Sequence, residues 1–240
     1  MRFRVVAVDY DGTLANNGRV AKKTLATLTC VQESGRKLLL VTGRELESLR
    51  RVFPQLGLFD LIVAENGALL CHPSTGEERI LAKNPPAAFV EMLRRSGARP
   101  LSVGRCIVAT VRPYEAAVYK AIEELGLNLQ IILNREAVMV LPVGVDKGTG
   151  FRTAMAELRL PMDSALGIGD AENDYAFLSL CGFSVAVANA IPSLKKRVHL
   201  VTSGKTGTGV VEVLQKLLTA EDLFDMAPPE LNGQFGPCIP

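Results

Sequence analysis

Short apolar runs alternate with longer segments of helical period along most of the chain. The runs at 4–8, 37–41, 61–64, 165–168, 184–187 and 199–201 are rich in Val, Ile and Leu. Unbroken apolar character over so few residues belongs to parallel strands covered by helices on both faces. Helices are predicted at 21–34, stopped by Gly35, at 44–53, stopped by Pro54, and at 148–158, 173–180 and 209–218. This alternation predicts a doubly wound, Rossmann-like α/β core with a parallel sheet, whose ligands collect beyond the carboxyl ends of the strands.

From 84 to 145 the rhythm changes. A helix opened by Pro85-Pro86 is followed by strands near Leu101 and at 107–111, a helix at 113–125 closed by Gly126, and strands at 129–133 and 137–141. The order α-β-β-α-β-β predicts a small antiparallel sheet with two helices on one face. Residues such as Phe89, Met92, Leu93, Ala117, Ile122 and Leu125 form the apolar sides of those helices. The expected organisation is a discontinuous core domain of 1–83 and 146–220 with 84–145 inserted into it. Beyond Ala220, Pro228-Pro229, Asn232-Gly233 and Gly236-Pro237 predict a disordered tail over 221–240. There is no fixed-period repeat.

Composition narrows the function classes. The chain has 240 residues, 48% of them hydrophobic and 22% charged, with a formal net charge of +2. The charges are scattered, and Lys195, Lys196 and Arg197 read as a solvated helix end, so neither nucleic acid nor an anionic membrane is expected as a partner. Five dispersed cysteines without a C-x-x-C pair argue against disulfides and zinc and for a reducing cytoplasm, and two histidines leave no histidine-based metal site. The N-terminal apolar run is too short for a signal peptide, and no stretch has the length of a membrane helix. Oligomeric state is not encoded in these patterns.

The chemistry gathers at strand ends. The first strand runs into Asp9-Tyr10-Asp11-Gly12-Thr13-Leu14, where Asp9 and Asp11 point to one side and Gly12 permits a sharp turn. Paired carboxylates there call for a cation or a proton, although an Asp-Gly turn with a helix cap is the plainer alternative. The second strand ends in Val41-Thr42-Gly43-Arg44 and is expected to pass straight into a helix, making an anion site or, more simply, a Thr42 N-cap. Asp146-Lys147-Gly148 begins a helix where the chain returns from the insertion; the lysine is either solvated or aimed at the strand ends. Gly169-Asp170-Ala171-Glu172-Asn173-Asp174 packs three acids and an amide at another strand end, hard oxygen donors suited to Mg²⁺. A phosphate dianion approaching such acids requires Mg²⁺ and Lys147 to neutralise the site.

With D-x-D-G-T-L, T-G-R, the lysine and G-D-x-x-N-D in that order, the chain resembles the haloacid dehalogenase-like (HAD) phosphatases. The closest likeness is to the Cof-type branch, whose cap is inserted between the second and third motifs and which often carries a step like Glu65-Asn66-Gly67. The resemblance spans about residues 3 to 218. It implies hydrolysis of small phosphorylated metabolites through an aspartyl-phosphate, with Asp9 as nucleophile and Asp11 as acid and then base. It further implies phosphate contacts from Thr42, Gly43, Lys147 and Asn173, and Mg²⁺ held by Asp9, Asp11 through its backbone, and Asp170, with support from Asp174. The short insertion is similar to the minimal cap of archaeal-type phosphoglycolate phosphatases and sucrose-phosphate phosphatases, which leaves a phospho-acid and a sugar phosphate both open. Arg44, Asn134 and Arg135 are candidate specificity residues, the last two in a predicted hairpin turn.

Two lookalikes fail. Ser203-Gly204-Lys205-Thr206 lacks the first glycine of a nucleotide-binding P-loop, since position 199 is His199. Gly167-Ile168-Gly169 lacks the third glycine of a dinucleotide fingerprint, since position 172 is Glu172. A receiver-type phosphoacceptor module and a phosphate-binding pseudoenzyme are the rival classes; both bind or accept phosphate without turnover.

Overall fold

The computed structural model describes residues 1–219; the disorder expected of 221–240 lies outside the described residues. In chain order the elements are β1 (Val5–Val8), α1 (Lys22–Glu33), β2 (Lys37–Val41), α2 (Leu46–Val52), β3 (Leu61–Ala64), β4 (Leu69–Cys71), β5 (Glu78–Ile80), α3 (Ala87–Arg95), β6 (Ser102–Val103), β7 (Val108–Val111), α4 (Glu115–Glu124), β8 (Leu129–Asn134) and β9 (Ala137–Pro142). They continue with α5 (Lys147–Leu158), β10 (Ala165–Gly169), α6 (Tyr175–Leu178), β11 (Phe183–Ala186), α7 (Pro192–Lys195), β12 (Leu200–Val201) and α8 (Thr206–Thr219).

The large sheet has the order β12-β11-β10-β1-β2-β3-β4-β5. Six strands are parallel, and Val5–Val8 lies level with both Ala165–Ile168 and Lys37–Leu40. The carboxyl ends of β1, β2 and β10 therefore share one rim. Because strand side chains alternate faces, Val6, Val8, Leu38 and Leu40 pack with α1 and α8 in one core layer, while Val5, Ala7, Leu39 and Val41 pack with Phe151, Met155 and Phe177 in the other. Both faces are buried, which is why the strands read as unbroken apolar runs.

The core is the expected doubly wound parallel sheet, with an addition at one edge. A hairpin, β4–β5, adds two antiparallel strands at the edge beyond β3. Three other boundaries also shift. The helix after Thr42 starts at Leu46 rather than Arg44, and the helix expected from Asn173 is a short 3₁₀ turn at Glu172–Asp174 followed by α6. The last helix starts at Thr206, three residues before the expected Gly209.

The small sheet, β6-β7-β9-β8, is antiparallel. One face buries Val108, Val138 and Val140 under Phe89, Leu93, Val118 and Ala121 of α3 and α4. Each large side chain contributes about 1.5–3 kcal/mol by leaving water. The alternate positions, Met139 and Leu141, turn the other way and meet Cys106 and Ile107 of the β6–β7 turn and Ala68 of the large-sheet unit's rim. The small sheet thus lies over the carboxyl ends of the parallel strands. Among the described residues no helix is long and apolar enough to cross a membrane.

Candidate active site

After β1 the chain turns back on itself: Leu14 donates its N–H to the Asp9 carbonyl at 3.2 Å, and Ala15 to that of Tyr10 at 2.8 Å. Gly12 has φ +86°, and a Cβ added there would lie 2.5 Å from Asp170 Oδ2, so this turn needs glycine for both conformation and space. The turn leaves Asp9 buried and Asp11 half exposed.

Lys147 reaches the rim from the opposite direction. Asp146 caps α5, accepting the Thr149 N–H at 2.8 Å, while its own N–H donates to Thr149 Oγ1 at 3.0 Å. Gly148 and Gly150 pack against Ala176 and Val63 at distances a methyl group would not tolerate. The helix start is thereby pressed into the rim, and Lys147 is buried, not solvated. Its Nζ donates to Asp9 Oδ1 at 2.6 Å and Asp174 Oδ1 at 2.5 Å. Burial alone lowers its pKa, but the carboxylates of Asp174 and Asp9 outweigh that and hold the ammonium charged.

Asp174 has a second duty. Its Oδ2 accepts the N–H groups of Asp170 and Ala171 at 2.7 and 2.9 Å, which ties the acidic loop into shape. Asp170 is fully buried; Thr13 Oγ1 donates to its Oδ1 at 3.0 Å, and Arg135 forms an ion pair with its Oδ2. Carboxylate oxygens of Asp9, Asp170 and Asp174 all lie within 4.8 Å of one another. Burial and the repulsion of Asp174 raise the pKa of both Asp9 and Asp170, against the opposing pull of Lys147 and of Arg135 respectively.

Asp11 stands apart from this trio. Its two oxygens accept from Arg44 Nε and Nη2 at 2.8 and 2.7 Å, a bidentate fork at the cavity wall. Thr42 is buried, but not as the cap of α2: Glu45 holds that position, and Thr42 Oγ1 instead accepts the Arg44 N–H at 3.1 Å. Gly43 faces Met139 of the small sheet and the amides of Asn173 and Asn66. Asn173 Nδ2 donates to Asn66 Oδ1 at 2.9 Å. Asn134 lines the cavity, whereas its neighbour Arg135, in the left-handed turn between β8 and β9, extends to Asp170. Of the sequence-selected residues, Asp9, Lys147, Asp170 and Asp174 meet directly. Asp11, Gly43, Arg44 and Asn134 border one cavity of about 290 Å³ beside them, closed on the other side by Ser102, Ile107, Ala109 and Met139.

Four carboxylates here face three cations, Lys147, Arg44 and Arg135. The site is therefore formally one charge negative before any anion arrives. The donor set is hard oxygen only, which fits a divalent cation of the Mg²⁺ type. The profile of the haloacid dehalogenase-like hydrolases matches residues 6–93 and 133–214, which include every acid of the site. The chain belongs to that family. Among its HAD relatives, "Phosphoglycolate phosphatase 2" of Saccharolobus solfataricus is 34% identical over 90% of this chain and 92% of its own length. A phosphoglycolate phosphatase of Methanothermobacter thermautotrophicus is 27% identical over 90% and 99%. A crystal structure of a Thermoplasma acidophilum protein shares this fold, with a TM-score of 0.78, 19% identity, and coverage of 90% of this chain and 99% of that one.

Several residues of this HAD site carry no assignment in the sequence reading. Thr13 holds Asp170, and Asn189 bridges loops by donating to Gly12 O and accepting from Thr206 N, both at 2.7 Å. Glu65 and Asn66 are consecutive non-glycine residues at φ +50° and +55°, each costing about 1–3 kcal/mol in conformation. Paired left-handed residues leave no periodic signal; only the abrupt end of an apolar run at Glu65-Asn66-Gly67 marks them.

Proposed function

We propose that the protein is a Mg²⁺-dependent HAD phosphatase that hydrolyses a small phosphorylated acid, with phosphoglycolate the best match. The observation that carries this reading is the buried trio Asp9, Asp170 and Asp174, braced by Lys147 at the floor of a small cavity. In this reading residues 84–145 act as a cap on the core formed by 1–83 and 146–220.

Asp9 and Asp170 would hold Mg²⁺ together with the Asp11 carbonyl, with Asp174 fixing the Asp170 loop; when bound, the ion neutralises phosphoryl oxygens and lets the dianion approach the acids. Lys147 orients Asp9 and favours its ionised form against the opposing effect of burial, as a nucleophilic carboxylate requires. Thr42, the Gly43 N–H and Asn173 surround the phosphoryl oxygens. Asp11 first takes a proton from solvent, giving up one of its two bonds to Arg44; an Asp9 oxygen then attacks phosphorus, the ester oxygen departs with that proton, and an aspartyl-phosphate remains. Asp11, now a carboxylate held by Arg44, takes a proton from water, whose oxygen attacks phosphorus and releases inorganic phosphate and Asp9. The cap limits bulk water during both steps.

A small acid's carboxylate has one partner of opposite charge in the cavity wall, Arg44. Beyond Asp9, Asp11 and Gly43, the other polar groups of the wall are Glu45, Ser48, Ser102 and Asn134, and the apolar ones are Ile107, Ala109, Ala137 and Met139. The named activity of the relatives agrees with a small acid. Enclosure by the small sheet also argues against a receiver-type module, which must present its aspartate to a protein partner. Cytoplasmic location fits the unpaired cysteines Cys30, Cys71, Cys106 and Cys181.

The test is steady-state phosphate release from phosphoglycolate and hexose 6-phosphates, with Mg²⁺ and with EDTA. Many turnovers with Mg²⁺, fastest on phosphoglycolate, are expected. Release of a single equivalent, or rates indifferent to EDTA, would overturn the reading.

A further inference from the structure

We infer that Glu65 is the positioning residue that clamps the cap over the cavity, its carboxylate seated in a nest of backbone N–H groups in the β6–β7 turn. This rests on the phosphatase reading for its kinetic consequence, but not for the contact itself. Residues 104–107 form that turn, closed by a 2.8 Å hydrogen bond from Gly104 N to Ile107 O. Its successive amides converge on one core side chain. Arg105 N donates to Glu65 Oε1 at 3.0 Å, and Cys106 N and Ile107 N donate to Oε2 at 2.7 and 3.1 Å. Successive N–H groups in a turn make a concave anion site, and here the anion belongs to the same chain. Gly104 is needed for it, since a Cβ at that position would lie 2.8 Å from the Glu65 carboxylate.

The core side of the clamp is rigid. Glu65 donates its own N–H to Arg44 O and Asn66 donates to Thr42 O, both at 3.0 Å. Gly67 sits so close to Asp146 O that a Cβ would be 1.8 Å from it. The turn bearing Glu65 is thus fixed to both the phosphate loop and the Lys147 segment. Other polar links between the same hairpin and the core are only partly buried: Arg105 pairs with Glu78 and Glu47, Ser102 bonds to Glu45, and Cys106 Sγ donates to Ala82 O at 3.1 Å. Solvent screening weakens the ion pairs among them. Glu65 is only 1% exposed, so its hydrogen bonds are the fully buried polar link of the docking, beside the apolar contact of Cys106 and Ile107 with Ala68.

The hairpin it holds supplies Ser102, Ile107 and Ala109 to the cavity wall beside Asp9 and Asp11. Removing the carboxylate frees that wall while leaving the phosphate-holding groups in place. Substrate, which touches cap and core, must then bind more weakly; inorganic phosphate, which fits within the core groups, must not.

The experiment compares Glu65→Gln and Glu65→Ala with wild type, Gln preserving volume should the Ala variant fold poorly. Hydrogen exchange of the 104–108 amides is expected to accelerate roughly tenfold or more, and KM for phosphoglycolate to rise by a similar factor, in both variants. The inhibition constant of inorganic phosphate is expected to change by less than about twofold. Unchanged exchange overturns the clamp; so does faster exchange with an unchanged KM, or a parallel loss of phosphate inhibition that signals general damage. If wild type ignores phosphoglycolate, the substrate reading fails while the exchange arm still tests the clamp.

Discussion

Lys147→Met isolates the cation beneath Asp9. Methionine keeps the length of the side chain, so the change removes the ammonium with little change of shape. That ammonium lies 2.6 Å from Asp9 and 2.5 Å from Asp174, with all three groups buried. Losing one partner of a buried ion pair costs about 3–5 kcal/mol, because the remaining charge has no solvent to turn to. At about 2–4 °C per kcal/mol for a protein of this size, the metal-free variant should melt roughly 6–20 °C below wild type. The carboxylates can limit the loss by taking up a proton, since burial already raises Asp9 well above its ordinary range. The Tm deficit should therefore be larger at about pH 8 than at about pH 5.5, and smaller with Mg²⁺ than with EDTA. Thermal melts across that grid, with phosphate release measured in parallel, are the assay. A Tm within about 2 °C of wild type in EDTA, independent of pH, would refute the idea that Lys147 neutralises this cluster.

Three further outcomes follow from individual contacts. Gly12→Ala adds a methyl 2.5 Å from Asp170 Oδ2 at φ +86° and should weaken Mg²⁺ binding, read by titration calorimetry, by about 10–100-fold. Asp9→Asn should abolish turnover while retaining the fold by circular dichroism; activity near wild type would remove Asp9 from the mechanism. His199 stacks on Phe183 at 4.7 Å, and burial together with Arg2 holds its pKa below 6.5. The unfolded chain then binds that proton more readily, so stability drains away as pH falls below about 6.5 and levels off under the lowered native value. His199→Asn should flatten that part of a Tm-against-pH curve; an unchanged slope would contradict the assignment.

The parallel core was readable because β1, β2, β3, β10 and β11 are buried on both faces, leaving a continuous apolar trace in the sequence. The edge hairpin was not. Leu69–Cys71 is only three residues long, and Glu78–Ile80 is largely exposed, so neither carries enough apolar signal. Site acids were legible for a related reason: they interrupt apolar runs just where strands end. Pairings across the fold were not. Arg135 reads as a hairpin-turn residue, and only folding brings its guanidinium to Asp170. The same holds for Arg44 on Asp11 and for Glu65 beneath the 104–107 turn, where one partner is a set of backbone N–H groups that no residue type announces.

The central claim is that Asp9 becomes covalently phosphorylated. It is tested most directly by rapid quench of the Asp11→Asn variant with radiolabelled p-nitrophenyl phosphate, whose leaving group departs without a proton, and Mg²⁺, followed by peptide mapping. The account predicts close to one equivalent of label, stable to acid and released by hydroxylamine, on the peptide containing Asp9. Label on any other residue, or release of inorganic phosphate from wild type through a path that never labels Asp9, would contradict it.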